Sequence, residues 1–364
     1  MRVVFASGGT GGHIYPALAL ADEMKARHES FHPLFVGTRS GLESEIIPGC
    51  GYKLKYIVSG PMRGRRFWGR IGTLFGLSTG VIQAMIILFR FKPDLVIGFG
   101  GYASASVVIA AILLRKRIVL QEQNSIPGIT NRLLAGAARK IYIGFEYASR
   151  YFKDMRRVLY TGNPLRGIIT ESYSGDPFSA FGLSRNMPTL LVFGGSQGAH
   201  SLNRAALEYF RSNRNVQGIM QTGRRDYESV RLALASRSES VFVTEYIRNI
   251  REAYEAADVV LARAGALSVS EIAAVGIPSI LVPYPFSADD HQRINASFLE
   301  EAGGAVTVED SDLSGEMLGE ILDPLLENRE KLERMRAAVS ETAPDNAAAR
   351  IADDIENILE SERG

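Results

Sequence analysis

Val3-Val4-Phe5-Ala6-Ser7-Gly8-Gly9-Thr10-Gly11-Gly12-His13 joins an apolar run to a glycine-rich turn and then to a helical pattern over 13–27. A strand that ends in glycines and feeds a helix is the first unit of a Rossmann-like fold. Its turn leaves unpaired backbone N–H groups at a helix N-terminus, where an anion is favoured. The motif returns once. Gly194-Gly195-Ser196-Gln197-Gly198-Ala199-His200 follows the apolar run TLLVF, and Gly8, Gly11 and His13 align with Gly195, Gly198 and His200 at a constant separation of 187. Two copies predict two similar halves. Around them, HPLFVG (32–37), DLVIGF, RIVLQ and KIYIGF, then GIMQTG, SVFVTEY, VVLARA and SILVPY, alternate with helical patterns. That alternation predicts an α/β fold with parallel sheets covered by helices on both faces. The break is expected near Thr161-Gly162-Asn163-Pro164. This gives 1–161 and 162–341 as the domains, with a terminal helix, about 342–364, folding back onto the first.

Composition agrees. The 364 residues carry Lys+Arg 41 against Asp+Glu 40 and are 46% hydrophobic, which excludes disorder, collagen and disulfide scaffolds and suits two domains. The single cysteine, Cys50, can form no intrachain disulfide, and the opening MRVVFASGG lacks the apolar region of a signal peptide, so a cytoplasmic protein is expected.

The near-neutral charge hides an asymmetry. No acidic residue lies between Glu45 and Asp94, whereas 309–364 holds 16 acidic and 6 basic residues. Within the basic interval Arg63, Arg65, Arg66 and Arg70 surround Phe67 and Trp68, and Ile71, Leu74 and Phe75 follow at near-helical spacing. Such a segment suits an anionic membrane surface, and its alternative is a helix packed on the first sheet. It does not suit nucleic acid, because its company is apolar rather than stacking-aromatic. The uncharged runs 71–89 and 95–114 have the length of a membrane span. The second divides into a strand, a glycine turn and a helix, and glycines and polar residues dilute the first, so neither is expected to cross.

Three glycine turns, 8–12, 98–101 and 194–198, are candidate anion sites. Neither outer turn has the dinucleotide fingerprint, since Ile14 stands where its last glycine belongs after Gly9-Thr10-Gly11, and no P-loop Gly-Lys-Ser/Thr occurs anywhere. They point to diphosphates on two different ligands. The Asp310-Ser311-Asp312 spacing is expected to cap a helix rather than hold a metal. Five scattered histidines and one cysteine offer no metal cluster, so neither metal nor other cofactor is expected.

GGTGGH (8–13), GFGGY (98–102), EQN (122–124), GNPLR (162–166), GGSQGA (194–199) and ARAGALSVSE (262–271) together resemble the MurG glycosyltransferases of peptidoglycan synthesis. The motifs occur in family order over residues 8 to about 295. The resemblance implies the GT-B fold, two Rossmann-like doubly wound domains facing across a cleft. It implies transfer of GlcNAc from UDP-GlcNAc to the muramoyl 4-hydroxyl of lipid I, with inversion, giving lipid II. It also implies a peripheral enzyme on the cytoplasmic face of the cell membrane, in the company of other cell-wall synthesis proteins.

Carried over by position, the UDP-GlcNAc contacts fall on Thr10, Gly11, Gly12, Asn124, Arg166, Ser196, Ile247, Ala266, Leu267, Ser268, Val269, Ser270, Glu271 and Gln292. The acceptor diphosphate falls on Gly8, Gly9, Gly100, Gly101 and Tyr102. Arg166 can pair with phosphate oxygens, and Glu271 can accept both ribose hydroxyls. Taken singly, Glu271 reads rather as a surface helix residue and Arg166 as a solvated turn arginine; within the motif set the preference reverses. His13 is the expected general base, kept neutral by its place at a helix N-terminus, or else a diphosphate ligand; Glu122 is its rival. His200 reads as surface. The alternative is another UDP-sugar enzyme of the same fold, a glycolipid synthase or a UDP-GlcNAc 2-epimerase. The paired loops GGTGGH and GFGGY favour the transferase, since an epimerase needs no acceptor diphosphate site.

Overall fold

The computed structural model describes residues 1–59, 67–171, 173–195 and 197–361, over 67–75 as backbone alone. Arg63, Arg65, Arg66 and Ser196 therefore lie outside the described residues, as do the side chains of Phe67, Trp68, Arg70, Ile71, Leu74 and Phe75. The chain divides into two compact units, Met1–Arg166 with Asp345–Gly364, and Gly167–Pro344. Both boundaries fall a few residues beyond the expected ones.

The first unit is a seven-stranded sheet of β1 (Arg2–Ala6), β2 (His32–Gly37), β3 (Leu54–Tyr56), β4 (Leu95–Gly98), β5 (Ile118–Glu122), β6 (Lys140–Ile143) and β7 (Val158–Tyr160). Their order is β3-β2-β1-β4-β5-β6-β7, and every pairing is parallel. Alternation along β1 explains the two layers. Val3 and Phe5 face the helix Gly11–Arg27 and the terminal helix Ala347–Glu360, while Val4 and Ala6 face Phe67–Phe91 and Gly101–Leu113. Phe5 stacks on Phe35 at 4.9 Å and on Phe99 at 6.2 Å, closing the core directly beneath the first glycine turn. The terminal helix is tied to the first by Arg27–Asp353 at 2.5 Å and His28–Glu356 at 2.9 Å.

The second unit is a six-stranded parallel sheet of β8 (Thr189–Phe193), β9 (Gln217–Gln221), β10 (Val241–Thr244), β11 (Val259–Arg263), β12 (Ser279–Val282) and β13 (Ala305–Thr307), in the order β10-β9-β8-β11-β12-β13. Leu190, Val192, Leu261 and Ile280 build its core with Leu202 and Phe210 of the helix His200–Ser212 and Leu318 and Leu322 of Gly315–Glu327. The latter helix corrects one expectation. Its N-cap is Ser314, whose hydroxyl accepts the Met317 N–H at 3.1 Å. Asp310 instead pairs with Arg263 at 2.6 Å and accepts from the Ser201 hydroxyl at 2.5 Å. Among the described residues no helix is long and apolar enough to cross a membrane.

Candidate active site

In each unit the strand order reverses beside the strand that carries a glycine turn. These switch points lie between β1 and β4 and between β8 and β11, and Rossmann-like folds bind ligands at the carboxyl ends of such strands.

In the first unit β1 and β4 run in register to Ala6 and Gly98 and end together. Thr10, extended at φ −134° and ψ 158°, caps the helix Gly11–Arg27, and its carbonyl accepts the His13 N–H at 3.1 Å. Its hydroxyl lies 3.2 Å from His13 Nδ1, which leaves Nε2 for other partners. The second loop closes over that ring. Gly100 and Gly101 adopt φ +88° and +81°, a region that strains any side chain. A Cβ on Gly100 would stand 3.3 Å from His13 Cδ2 and Nε2, and one on Gly101 would stand 2.8 Å from the Gly8 carbonyl oxygen. GGTGGH and GFGGY are thus one interlocked element. Burial pushes the His13 pKa down to about 4, against an opposing pull from the Glu43 charge. Removal from water favours the neutral imidazole.

Two carboxylates depart from the expectations. Glu122 is buried, and both of its oxygens are taken. Oε1 accepts from the Asn124 N–H at 3.0 Å and the Asn124 amide at 3.4 Å; Oε2 accepts from the Gly128 N–H at 3.0 Å and the Asn131 amide at 2.8 Å. Burial raises its pKa even against these donors. Glu122 clamps the loop after β5 and fixes Asn124. Glu43, which no motif marks, is fully buried and accepts the Gly9 N–H at 3.0 Å. Gly9 therefore does not offer that N–H to a diphosphate. Arg166 lays its guanidinium over the Tyr15 ring, 4.5 Å from the centroid, beside the same loop, and Tyr102 is exposed in the first turn of Gly101–Leu113.

In the second unit the turn after β8 opens the helix His200–Ser212, and Gly265 caps Ala266–Val275 after β11. Two helix N-termini thus converge on one switch point. Val269 N–H bonds back to the Gly265 carbonyl at 3.0 Å and its side chain is buried; Ala266 is likewise buried. The backbone N–H groups of Ala266, Leu267 and Ser268 precede that bond and face the helix mouth. Glu271, half-buried, accepts from the Tyr254 hydroxyl at 3.1 Å, and Ser270 precedes it on the same helix. Gln292 accepts the Tyr284 N–H at 2.9 Å, which fixes its side chain. Gln221, unmarked by any motif, links the Gly195 carbonyl at 3.0 Å to the Ile247 N–H at 2.9 Å. That bond occupies the Ile247 N–H and leaves its carbonyl as the backbone group a ligand could meet. His200 is largely exposed yet not idle: Nδ1 pairs with Asp226 Oδ2 at 3.0 Å. Burial alone would raise the Asp226 pKa; hydrogen bonds from Asn203 and His200 outweigh it and hold the carboxyl below the usual range. Among the described residues no group of histidines, cysteines and carboxylates could hold a metal ion.

Residues 3–143 match the N-terminal domain of glycosyltransferase family 28, and 189–353 match its C-terminal domain. The UDP-N-acetylglucosamine–N-acetylmuramyl-(pentapeptide) pyrophosphoryl-undecaprenol N-acetylglucosamine transferase of Chlorobaculum tepidum is 40% identical over 360 residues, 98% of each chain. The crystal structure of MurG from Acinetobacter baumannii superposes with a TM-score of 0.78 at 26% identity, covering 98% of this chain and 99% of that one. The UDP-GlcNAc 2-epimerase of Neisseria meningitidis shares the fold alone, with a TM-score of 0.69 at 14% identity over 98% of this chain and 100% of its own.

Two Rossmann-like domains with glycine turns at both switch points define the GT-B fold, and the family 28 domains make it a glycosyltransferase. The chain belongs to glycosyltransferase family 28 and, within it, to the MurG N-acetylglucosaminyltransferases.

Proposed function

We propose that the chain transfers GlcNAc from UDP-GlcNAc to the muramoyl 4-hydroxyl of lipid I, with inversion, on the cytoplasmic face of the cell membrane. The observation that carries the reading is His13, a neutral imidazole held between two glycine loops by Thr10 and Gly100. A neutral imidazole can take a hydroxyl proton, and N–H groups at the head of a helix can hold a diphosphate beside it. In this reading Gly8, Gly100, Gly101 and Tyr102 receive the acceptor diphosphate, and Thr10, Gly11 and Gly12 contact UDP-GlcNAc. His13 Nε2 takes the proton as the hydroxyl oxygen bonds to C1 of GlcNAc, and the bond from C1 to the diphosphate breaks with its electron pair leaving on UDP. The charge on UDP is met by Ser196, by the helix N-termini at His200 and Ala266, and by Arg166; Glu271 accepts the ribose hydroxyls, and the Ile247 carbonyl and Gln292 orient uracil and sugar.

An exposed apolar stripe supports the lipid acceptor. Ile82, Ile86 and Phe89 form one exposed stripe, with Phe89 71% exposed, and Ile112 and Leu113 are exposed at the end of the helix packed beside it. Arg90, Lys92 and Arg115 flank them. An apolar stripe edged by basic residues suits an anionic bilayer surface, with about 1 kcal/mol for each basic residue near it. It lies C-terminal to the stretch from Arg63 to Phe75, where the sequence placed the contact.

Incubation with UDP-GlcNAc alone separates the reading from the epimerase. We expect the nucleotide sugar to remain unchanged by NMR over hours; conversion to UDP-ManNAc would overturn the proposal.

A further inference from the structure

The buried Glu43 has no part in the chemistry described so far. It begins the helix Glu43–Gly49, yet its side chain runs back beneath the first glycine loop. Oε2 accepts the Gly9 N–H at 3.0 Å, and Oε1 accepts the Thr38 N–H at 2.8 Å and the Thr38 hydroxyl at 2.7 Å. The surrounding glycines leave it room: a Cβ on Gly37 would come 2.7 Å from its Cγ, and one on Gly8 2.8 Å from Oε1. A Cβ on Gly41 would overlap the carboxylate outright. A carboxylate sealed from water is costly unless its oxygens are fully hydrogen-bonded, and here both are spent on backbone at the ends of β1 and β2.

We infer that Glu43 is a positioning residue for acceptor binding: its carboxylate holds Gly9, at φ +97°, and through it the Gly8–Gly12 loop that His13 closes. The inference rests on the functional reading above only for the identity of the acceptor. The loop is anchored from below, so Gly11, Gly12 and the imidazole are fixed before any ligand arrives. Glutamine has the same shape but one oxygen fewer. Whichever way it turns, an amide NH2 faces either the Gly9 or the Thr38 N–H, and one buried donor is left unpaired.

The test measures Glu43→Gln with UDP-GlcNAc and a short-chain lipid I analogue, alongside UDP binding by calorimetry and backbone amide NMR. We expect acceptor kcat/KM to fall about tenfold or more, with UDP affinity within about twofold of wild type. The amide signals of Gly9, Gly11, Gly12 and His13 should move while those of 189–344 stay. A role in stability alone would lower the melting temperature without separating acceptor from donor. Should Glu43→Gln fail to fold, Gly41→Ala, which drives the carboxylate from its place, must give the same separation. Unchanged acceptor kinetics in a folded variant, or equal losses for acceptor and UDP, overturns the inference. Loop signals that move as expected in a protein whose wild type glycosylates no lipid I analogue would count against the functional reading instead.

Discussion

The His13 imidazole rests on the backbone of Gly100, so close that a methyl group there would stand 3.3 Å from both Cδ2 and Nε2 of the ring. An imidazole from one strand end is thereby registered against a loop from the next, and four predictions follow that contact outward.

Gly101→Ala should be worse than its size suggests. The added Cβ meets the Gly8 carbonyl oxygen at 2.8 Å, and a residue at φ +81° carries roughly 1–3 kcal/mol of backbone strain. Because the second unit is untouched, we expect turnover to fall at least tenfold with UDP affinity preserved. Steady-state rates and calorimetric titration with UDP check this.

His13→Ala should cost about 10²–10⁴ in kcat, the usual worth of a positioned base, while UDP still binds. The pH profile carries the finer test. A base must be deprotonated, so its loss of function comes as pH falls through its pKa, here about 4. Acceptor kcat/KM should stay nearly flat from about pH 8 to about pH 6, where an ordinary histidine would already have lost roughly three-quarters of its basic form. An acid limb centred near the ordinary histidine value would show that burial does not set the ionisation of His13.

Glu271→Ala should weaken UDP-GlcNAc by about tenfold or more, since a hydrogen bond to a charged acceptor is worth roughly 1.5–3 kcal/mol. The Tyr254 hydroxyl, 3.1 Å from Oε2, loses its acceptor as well, so the melting temperature should drop slightly. Unaltered affinity in a folded variant would take Glu271 out of the ribose site.

Ile86→Asp with Phe89→Asp should abolish sedimentation with anionic vesicles and leave turnover of a water-soluble acceptor analogue unchanged, because both side chains point to solvent. Binding that survives both substitutions would move the membrane surface elsewhere on the chain.

Much of this was legible in the residues. Strand, glycine turn and helix declare themselves locally, because β1 and β4 are buried on both faces and their turns need glycine; hence the copies at Gly8 and Gly195, and the helix beginning at Gly101 rather than a membrane span over 95–114. What stayed hidden depends on contacts between distant segments. Glu43 lies 34 residues from the Gly9 N–H that it holds, and nothing near it marks a buried carboxylate. Glu122 looks like a base in EQN, and only the fold brings Gly128 and Asn131 round to occupy it. Asp310 looks like a cap four residues before the true one, until Arg263 and Ser201 are seen to claim it. The short edge strands β3 and β13, three residues each, offer too little pattern to be read.

The central claim is the transfer itself. Radiolabelled UDP-GlcNAc, supplied with a short-chain lipid I analogue, tests it most directly. The account predicts label in a lipid-linked disaccharide with a β-glycosidic bond, one UDP released per transfer, and no such product from His13→Ala. Label remaining in UDP-GlcNAc, or lipid product formed equally well by His13→Ala, would contradict it.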